Sequence, residues 1–230
     1  RGCVVSRGEV RRRLGRFWLA ARQRRRGEVA AVILVAGPDG SGKSSLSSRL
    51  RAELNLWVPC ELVAVVHWRP GVLPAPRRLV GKHEGADSGD PHGRVPFGWA
   101  LSVLRLAYFW LDFSLGAAVR GMAGPTARGI VLLERGWWDM LVDPYRYRLK
   151  VAPLLIRALG RMIPKPHVFL VLDAPAHVMH ARKAELPLEE LDRQRRAWLD
   201  LTIPGAEKVV LDATKPLDQV VADAREAIVA

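Results

Sequence analysis

A lysine and a hydroxyl placed directly behind a run of glycines form a phosphate-gripping combination. Residues 37–44, Gly-Pro-Asp-Gly-Ser-Gly-Lys-Ser, supply it. The spacing is that of a G-x-x-x-x-G-K-[ST] loop. Gly37, Gly40 and Gly42 let the backbone curl so that successive N–H groups, including that of Ser41, point at phosphate oxygens. The stretch from Lys43 reads as a helix, whose positive dipole end adds to the attraction. Lys43 is placed to reach the β and γ phosphates, and Ser44 offers a hydroxyl to Mg²⁺, a hard cation that takes oxygen ligands. The predicted cofactors are therefore ATP and Mg²⁺, held by Gly37, Asp39, Gly40, Ser41, Gly42, Lys43, Ser44 and Ser45.

Other groups stand just past apolar runs. His67-Trp68-Arg69-Pro70 follows one, and Glu134-Arg135-Gly136-Trp137-Trp138-Asp139 follows another. Arginine presents a rigid fork to phosphate and keeps its charge. Arg69 and Arg135 are thus candidates to hold an anionic acceptor opposite an ATP γ-phosphate, with ordinary salt bridging as the plainer reading. Glu134 is the candidate to orient Mg²⁺. Asp173 is a weaker rival that could instead cap the helix after it. Arg182 and Lys183 lie where a lid over residues 181–200 would close, and could meet transition-state charge once water is excluded. A solvated charged helix is the alternative there. His83, His92, His177 and His180 lack the companions a metal site needs.

These groups need a scaffold. Five short apolar runs, 29–36, 62–66, 130–133, 167–172 and 208–211, suit strands buried on both faces of a parallel sheet. Helical stretches alternate with them at 43–54, 99–120, 153–161, 175–185, 188–201 and 216–228. Pro175 and Pro216 are expected in first turns. Alternation of this kind implies an α/β, doubly wound, five-stranded parallel sheet with helices on both faces, and ligands beyond the carboxyl ends of its strands. The sequence of 230 residues divides into a basic segment, 1–27, and a domain over 28–230.

Composition narrows the classes. The net charge is +13, but ten arginines against Glu9 in residues 1–26 carry +9, leaving +4 for the rest. The excess thus sits in one amphipathic helix over 9–25, with Val10, Leu14, Phe17, Trp18 and Ala21 on its apolar side. It reads as a docked, solvated helix, or as a contact for an anionic membrane surface or a protein partner. Nucleic acid is disfavoured, because no aromatic-interleaved binding motif accompanies the charge. Cys3 and Cys60, the only cysteines, point to a reducing, cytoplasmic setting. No secretory leader is evident. The most apolar helix, 101–118, carries Arg105 and Asp112 and reads as buried or half-buried in protein.

Residues 29–229 resemble the thymidylate kinase-like branch of P-loop nucleoside monophosphate kinases. Gly37 to Ser45 is similar to that family's G-x-D-G-x-G-K-[ST]-[ST] loop, and the resemblance implies an acceptor contact for Asp39. Glu134-Arg135 stands where the family has Asp-Arg-Tyr, so the resemblance gives Arg135 the acceptor phosphate. Residues 211–220 resemble the last strand and the adenine-side turn. There are departures. Glu134 replaces aspartate, no tyrosine follows Arg135, and Asp112 is followed by Phe113 where the family has a base-reading arginine. Phe109, with Tyr108 and Trp110, could still wall an acceptor pocket. The segment from Trp137 to Tyr147 is closer to divergent relatives found with bacterial surface-polysaccharide genes. The fold also implies homodimers by analogy.

The expected activity is transfer of the ATP γ-phosphoryl to a small acceptor, most simply a nucleoside monophosphate. Lys43, Glu134, Arg135, Arg182 and Lys183 would be catalytic, and Asp39, Arg69, Phe109 and Arg135 would bind the acceptor. Two alternatives stay open. One is a kinase of a sugar or glycan hydroxyl, with Asp39 or Glu134 orienting that hydroxyl. The other is a non-catalytic, ATP-responsive binding module.

Overall fold

The computed structural model describes residues 31–56, 63–67, 69, 72–73, 96–119 and 129–229. The basic helix expected over 9–25, both cysteines, Trp68, His83 and His92 lie outside the described residues.

Five parallel strands, β1 (Ala31–Ala36), β2 (Val63–Val66), β3 (Ile130–Leu133), β4 (Val168–Asp173) and β5 (Glu207–Asp212), form one sheet in the order β2-β3-β1-β4-β5. The helices are α1 (Lys43–Leu54), α2 (Trp99–Val119), α3 (Asp139–Val142), α4 (Pro153–Gly160), α5 (Ala176–Arg182), α6 (Leu188–Asp200) and α7 (Leu217–Val229). This is the doubly wound α/β arrangement expected. Strand bounds fall within two residues of the expected ones, and α1 coincides with its expected span.

Side chains alternate across a strand, so a strand buried on both faces must be apolar throughout. In β1, Ala31, Ile33 and Val35 enter one core layer with Leu46 and Leu50 of α1, Met179 of α5 and Val221 and Ala224 of α7. Val32, Leu34 and Ala36 enter the other with Leu106, Phe109 and Phe113 of α2, Met140 of α3 and Ile156 of α4. Helix α6 contributes to both layers, Leu191 to the first and Trp198 to the second. Each Val, Leu, Ile, Phe or Met among them contributes about 1.5–3 kcal/mol when fully buried.

Helix α2 is apolar nearly all round. Leu106, Phe109 and Phe113 are buried, while Leu101, Leu104, Leu111 and Leu115 are exposed along another side. Among the described residues no helix is long and apolar enough to cross a membrane.

Several local details differ from expectation. Pro153 does open α4, but Pro175 and Pro216 each sit one position before the first helical residue, of α5 and α7 respectively. Helix α5 also ends at Arg182, and Lys183 is extended. Helix α3 was not expected, because four residues carry too little periodicity to be read. It forms because Asp139 accepts the Gly136 N–H at 2.7 Å and the Met140 N–H donates back to the Trp137 carbonyl at 3.3 Å.

The stretch after β3 is anchored by Trp137, which is fully buried and donates its indole N–H to the Ile156 carbonyl at 2.9 Å. Phe113 meets its ring edge-on, with centroids 5.9 Å apart. A β-carbon added at Gly160 would lie 2.7 Å from the indole nitrogen. Gly160→Ala is therefore expected to destabilise the fold by about 1–3 kcal/mol, read as a lower midpoint in urea.

Candidate active site

The phosphate loop begins where β1 stops. Gly40 adopts φ 83°, and a β-carbon there would meet the Met179 carbonyl oxygen at 2.3 Å. Only glycine fits both the backbone conformation and that contact. Helix α1 starts at Lys43 with Gly42 as a left-handed N-cap and no side-chain cap, so the leading amides of the helix keep their N–H groups for a ligand. Ser44 and Ser45 are exposed at this end. The Lys43 ammonium is buried; it donates to the carbonyls of Gly37 at 2.8 Å and Pro38 at 2.7 Å and lies 3.6 Å from Asp39. Burial pushes its pKa down to about 8 against the pull of Asp39, and Arg135 helps lower it.

Asp39 is the centre of the site. It takes Arg135 on Oδ1 at 3.0 Å and Arg146 on Oδ2 at 2.5 Å. Burial alone would raise its pKa. The charges of Lys43 and Arg146, the Arg146 hydrogen bond and Arg135 outweigh that, and hold the carboxyl well below the usual range. Asp39 is thus a fixed anion. Arg146 is likewise held charged: burial opposes it, and Asp39 more than compensates.

Arg135 comes from the end of β3, and Arg146 from a turn after α3. Asp143 accepts the Arg146 backbone N–H at 3.1 Å, and the Leu149 N–H donates to Pro144 at 3.0 Å. The turn closes through Arg148, whose φ of 54° is unusual for a residue with a β-carbon. Contacts to the start of α2 hold it. The Arg148 guanidinium lies 3.8 Å over the Phe97 ring, Arg105 donates to the Tyr147 carbonyl at 3.0 Å, and Lys150 N–H donates to Ser102 at 3.0 Å. Tyr147 is buried here, which raises its pKa well above the ordinary value.

A cavity beside the loop is lined by Asp39, Lys43, Arg135, Arg146, Gln194 and Trp198, among others. Gln194 and Trp198 project from α6, and Gln194 donates to Asp143 at 3.3 Å. Asp139 is buried next to the cavity. Its pKa is pushed up to about 6 by that burial, against the Gly136 N–H and the charges of Arg135 and Lys43.

On the other side of the loop, Ser44 donates to Glu134 Oε2 at 3.1 Å, and His67 Nδ1 is 2.6 Å from the same oxygen. A buried carboxylate against a loop hydroxyl is a donor set of hard oxygens. It fits Mg²⁺, which takes one or two protein oxygens and completes its shell with phosphate and water.

The remaining expected residues make other contacts. Arg69 pairs with buried Asp112 at 3.1 Å and lies 5.8 Å over Tyr108, and Asp112 also accepts the Leu73 N–H at 2.7 Å. Phe109 is fully buried in the core, with the Arg105 guanidinium 5.0 Å over its ring. Arg182 donates to the Ala213 carbonyl at 2.9 Å, past β5, and Lys183 pairs with Glu185 at 3.0 Å. Asp173 does not cap α5; it receives the fork of Arg195 at 2.6 and 2.9 Å. His180 Nδ1 is 3.0 Å from the Leu186 carbonyl, so it carries the ring proton there.

Sequence reasoning assigned no role to Arg146, Gln194, Asp139 or His67. The aromatic-rich segment holding Arg146 marked itself as unusual, and His67 occupied a strand end. Gln194 gave no signal among the dense charges of α6.

The fold is similar to that of the crystal structure of thymidylate kinase from Ehrlichia chaffeensis, with a TM-score of 0.57 over 86% of this chain and 98% of that chain at 17% identity. At that identity the likeness is one of fold. No family model matches the sequence, and no curated protein does either. The chain thus has a thymidylate kinase-like fold.

The raised pKa of Asp139 predicts a pH signature. The folded state favours its protonated form, so this contribution to stability is complete below about pH 4 and is lost as pH rises through about 6. Asp139→Asn keeps an acceptor for Gly136 and removes the ionisation. The variant should match the parent below pH 4 and exceed it above pH 6 by up to about 3 kcal/mol in chemical denaturation.

Proposed function

We propose that this thymidylate kinase-like chain is an ATP-dependent phosphotransferase that moves the γ-phosphoryl group to a small acceptor bearing its own anion, most simply a nucleoside monophosphate. The observation that carries this reading is the pair of guanidiniums on Asp39. Each arginine spends one N–H nitrogen on that carboxylate, on Oδ1 and Oδ2 respectively. Both arginines line a cavity that Lys43 also lines. Partly buried guanidinium donors call for oxygen acceptors, and two forks side by side suit a phosphate.

In this reading the N–H groups of residues 40–45 and Lys43 hold the donor polyphosphate. Ser44 and Glu134 hold Mg²⁺, which neutralises charge on the β and γ phosphates when bound. Arg135 and Arg146 hold the acceptor anion and the equatorial charge of the transferring group. Asp39 keeps both guanidiniums in place. Helix α6 closes the cavity with Gln194 and Trp198, and so limits water. The exposed leucines of α2 are the surface on which a second copy would pack.

Asp39 is a poor proton acceptor under three cations, which weighs against its orienting a sugar hydroxyl as a base. A glycan hydroxyl acceptor would have to rely on Glu134. A binding module without turnover would hold ATP and transfer to nothing.

The test is a screen of Mg²⁺-dependent ATP consumption against nucleoside monophosphates, sugar phosphates and free sugars. Phosphate-bearing acceptors should stimulate and free sugars should not; stimulation by free sugars alone would sink the reading. Lys43→Ala should abolish turnover. Arg135→Ala should lower kcat, by on the order of 10³-fold or more if it meets transition-state charge. Arg146→Ala should raise the acceptor KM about tenfold or more and leave the ATP KM near its original value.

A further inference from the structure

We propose that His67 is a direct nitrogen ligand of the divalent cation at the phosphate loop, so that the site prefers Mn²⁺ to Mg²⁺. The inference rests on the nucleotide-binding reading above and adds a cation selectivity to it.

Its basis is strand register. β2 and β3 pair in parallel, with Val66 opposite Leu133, and the Glu134 N–H donates to the Val66 carbonyl at 3.0 Å. His67 and Glu134 are therefore the next residues on neighbouring strands. Adjacent strands lie about 4.8 Å apart, and side chains in register share a face. The sheet, not a flexible loop, brings imidazole to carboxylate.

Three donor atoms of different chemistry meet at this strand end. Ser44 Oγ is 3.1 Å from Glu134 Oε2, and His67 Nδ1 is 2.6 Å from that same oxygen. Octahedral donors about 2.1 Å from a cation stand about 3 Å from one another. Both contacts are close to the edge of such a polyhedron. The hydroxyl and the carboxylate are hard donors that suit Mg²⁺. An imidazole nitrogen moves preference toward the transition metals, which follow Mn²⁺ upward in affinity for nitrogen.

In the hydrogen bond to the carboxylate, Nδ1 must carry the ring proton. Coordination through Nδ1 needs only the other tautomer, with that proton on Nε2. The ring is largely exposed, its side chain 79% accessible, so water can serve Nε2–H.

The plain alternative is that His67 only orients Glu134 through a hydrogen bond. Spectroscopy of the full chain with Mn²⁺ and ADP separates the two. The parent should show ¹⁴N modulation from a coordinated imidazole in electron spin echo spectra, and His67→Ala should lose it. The free-Mn²⁺ resonance should report at least about tenfold weaker Mn²⁺ retention in His67→Ala, while Mg²⁺ retention, measured by competition, changes much less. His67→Gln restores a hydrogen-bonding side chain without an imidazole nitrogen, and should still lack the modulation. Binding of Mn²⁺·ADP without ¹⁴N modulation, or modulation that survives in His67→Ala, overturns the proposal and leaves nucleotide binding standing. Failure of Mn²⁺·ADP to bind at all overturns both.

Discussion

One carboxylate organises the cavity beside the glycine loop. Asp39 lies in the glycine loop within 3.0 Å of Arg135, 2.5 Å of Arg146 and 3.6 Å of Lys43. Three cations gathered in a partly buried space repel one another, and each loses hydration. Without a central anion that gathering would be unstable. With it, the guanidiniums from two distant segments are fixed next to the loop. The arrangement has direction as well as strength, because each oxygen of Asp39 serves one arginine.

The supports of that carboxylate run through the fold. Arg135 is positioned by a buried parallel strand, and Glu134 beside it by pairing with β2. Arg146 depends on a turn with a left-handed arginine, and that turn is tied to the first residues of α2. Trp137 pins the intervening chain to α4. The second core layer, with its aromatic residues, therefore serves as the mount for the arginine side of the cavity. The first layer mounts the glycine loop and α1.

The scaffold was largely legible in the sequence, and the site was legible in part. Runs such as 130–133 and 168–173 are apolar at every position but the last of the second, and a strand covered on both sides leaves that mark. The glycine loop is likewise a local pattern, and its strand and helix stand where the motif requires. Arg135 stood out in the sequence because it lies two residues past a strand. Arg146 lies 107 residues from its partner along the chain, in a turn held by Phe97 under Arg148 and by Ser102, which accepts the Lys150 N–H. No local pattern encodes that. Arg69 and Phe109 were legible as residue types but not as partners. The pairing of Arg69 with Asp112 emerges only when the chain after β2 meets α2, whereas Arg105 and Phe109 are i,i+4 neighbours along α2 itself.

Gly40 carries one more consequence. Its α-carbon sits against the Met179 carbonyl so closely that no β-carbon would fit. The glycine loop and the last turn of α5 are therefore in hard contact, like a pawl against a tooth. The short connection from α5 leads directly into α6, which roofs the cavity. Because the contact of Gly40 with Met179 is backbone against backbone, neither side can yield by a change of rotamer, and the position of α5 fixes the curl of the loop.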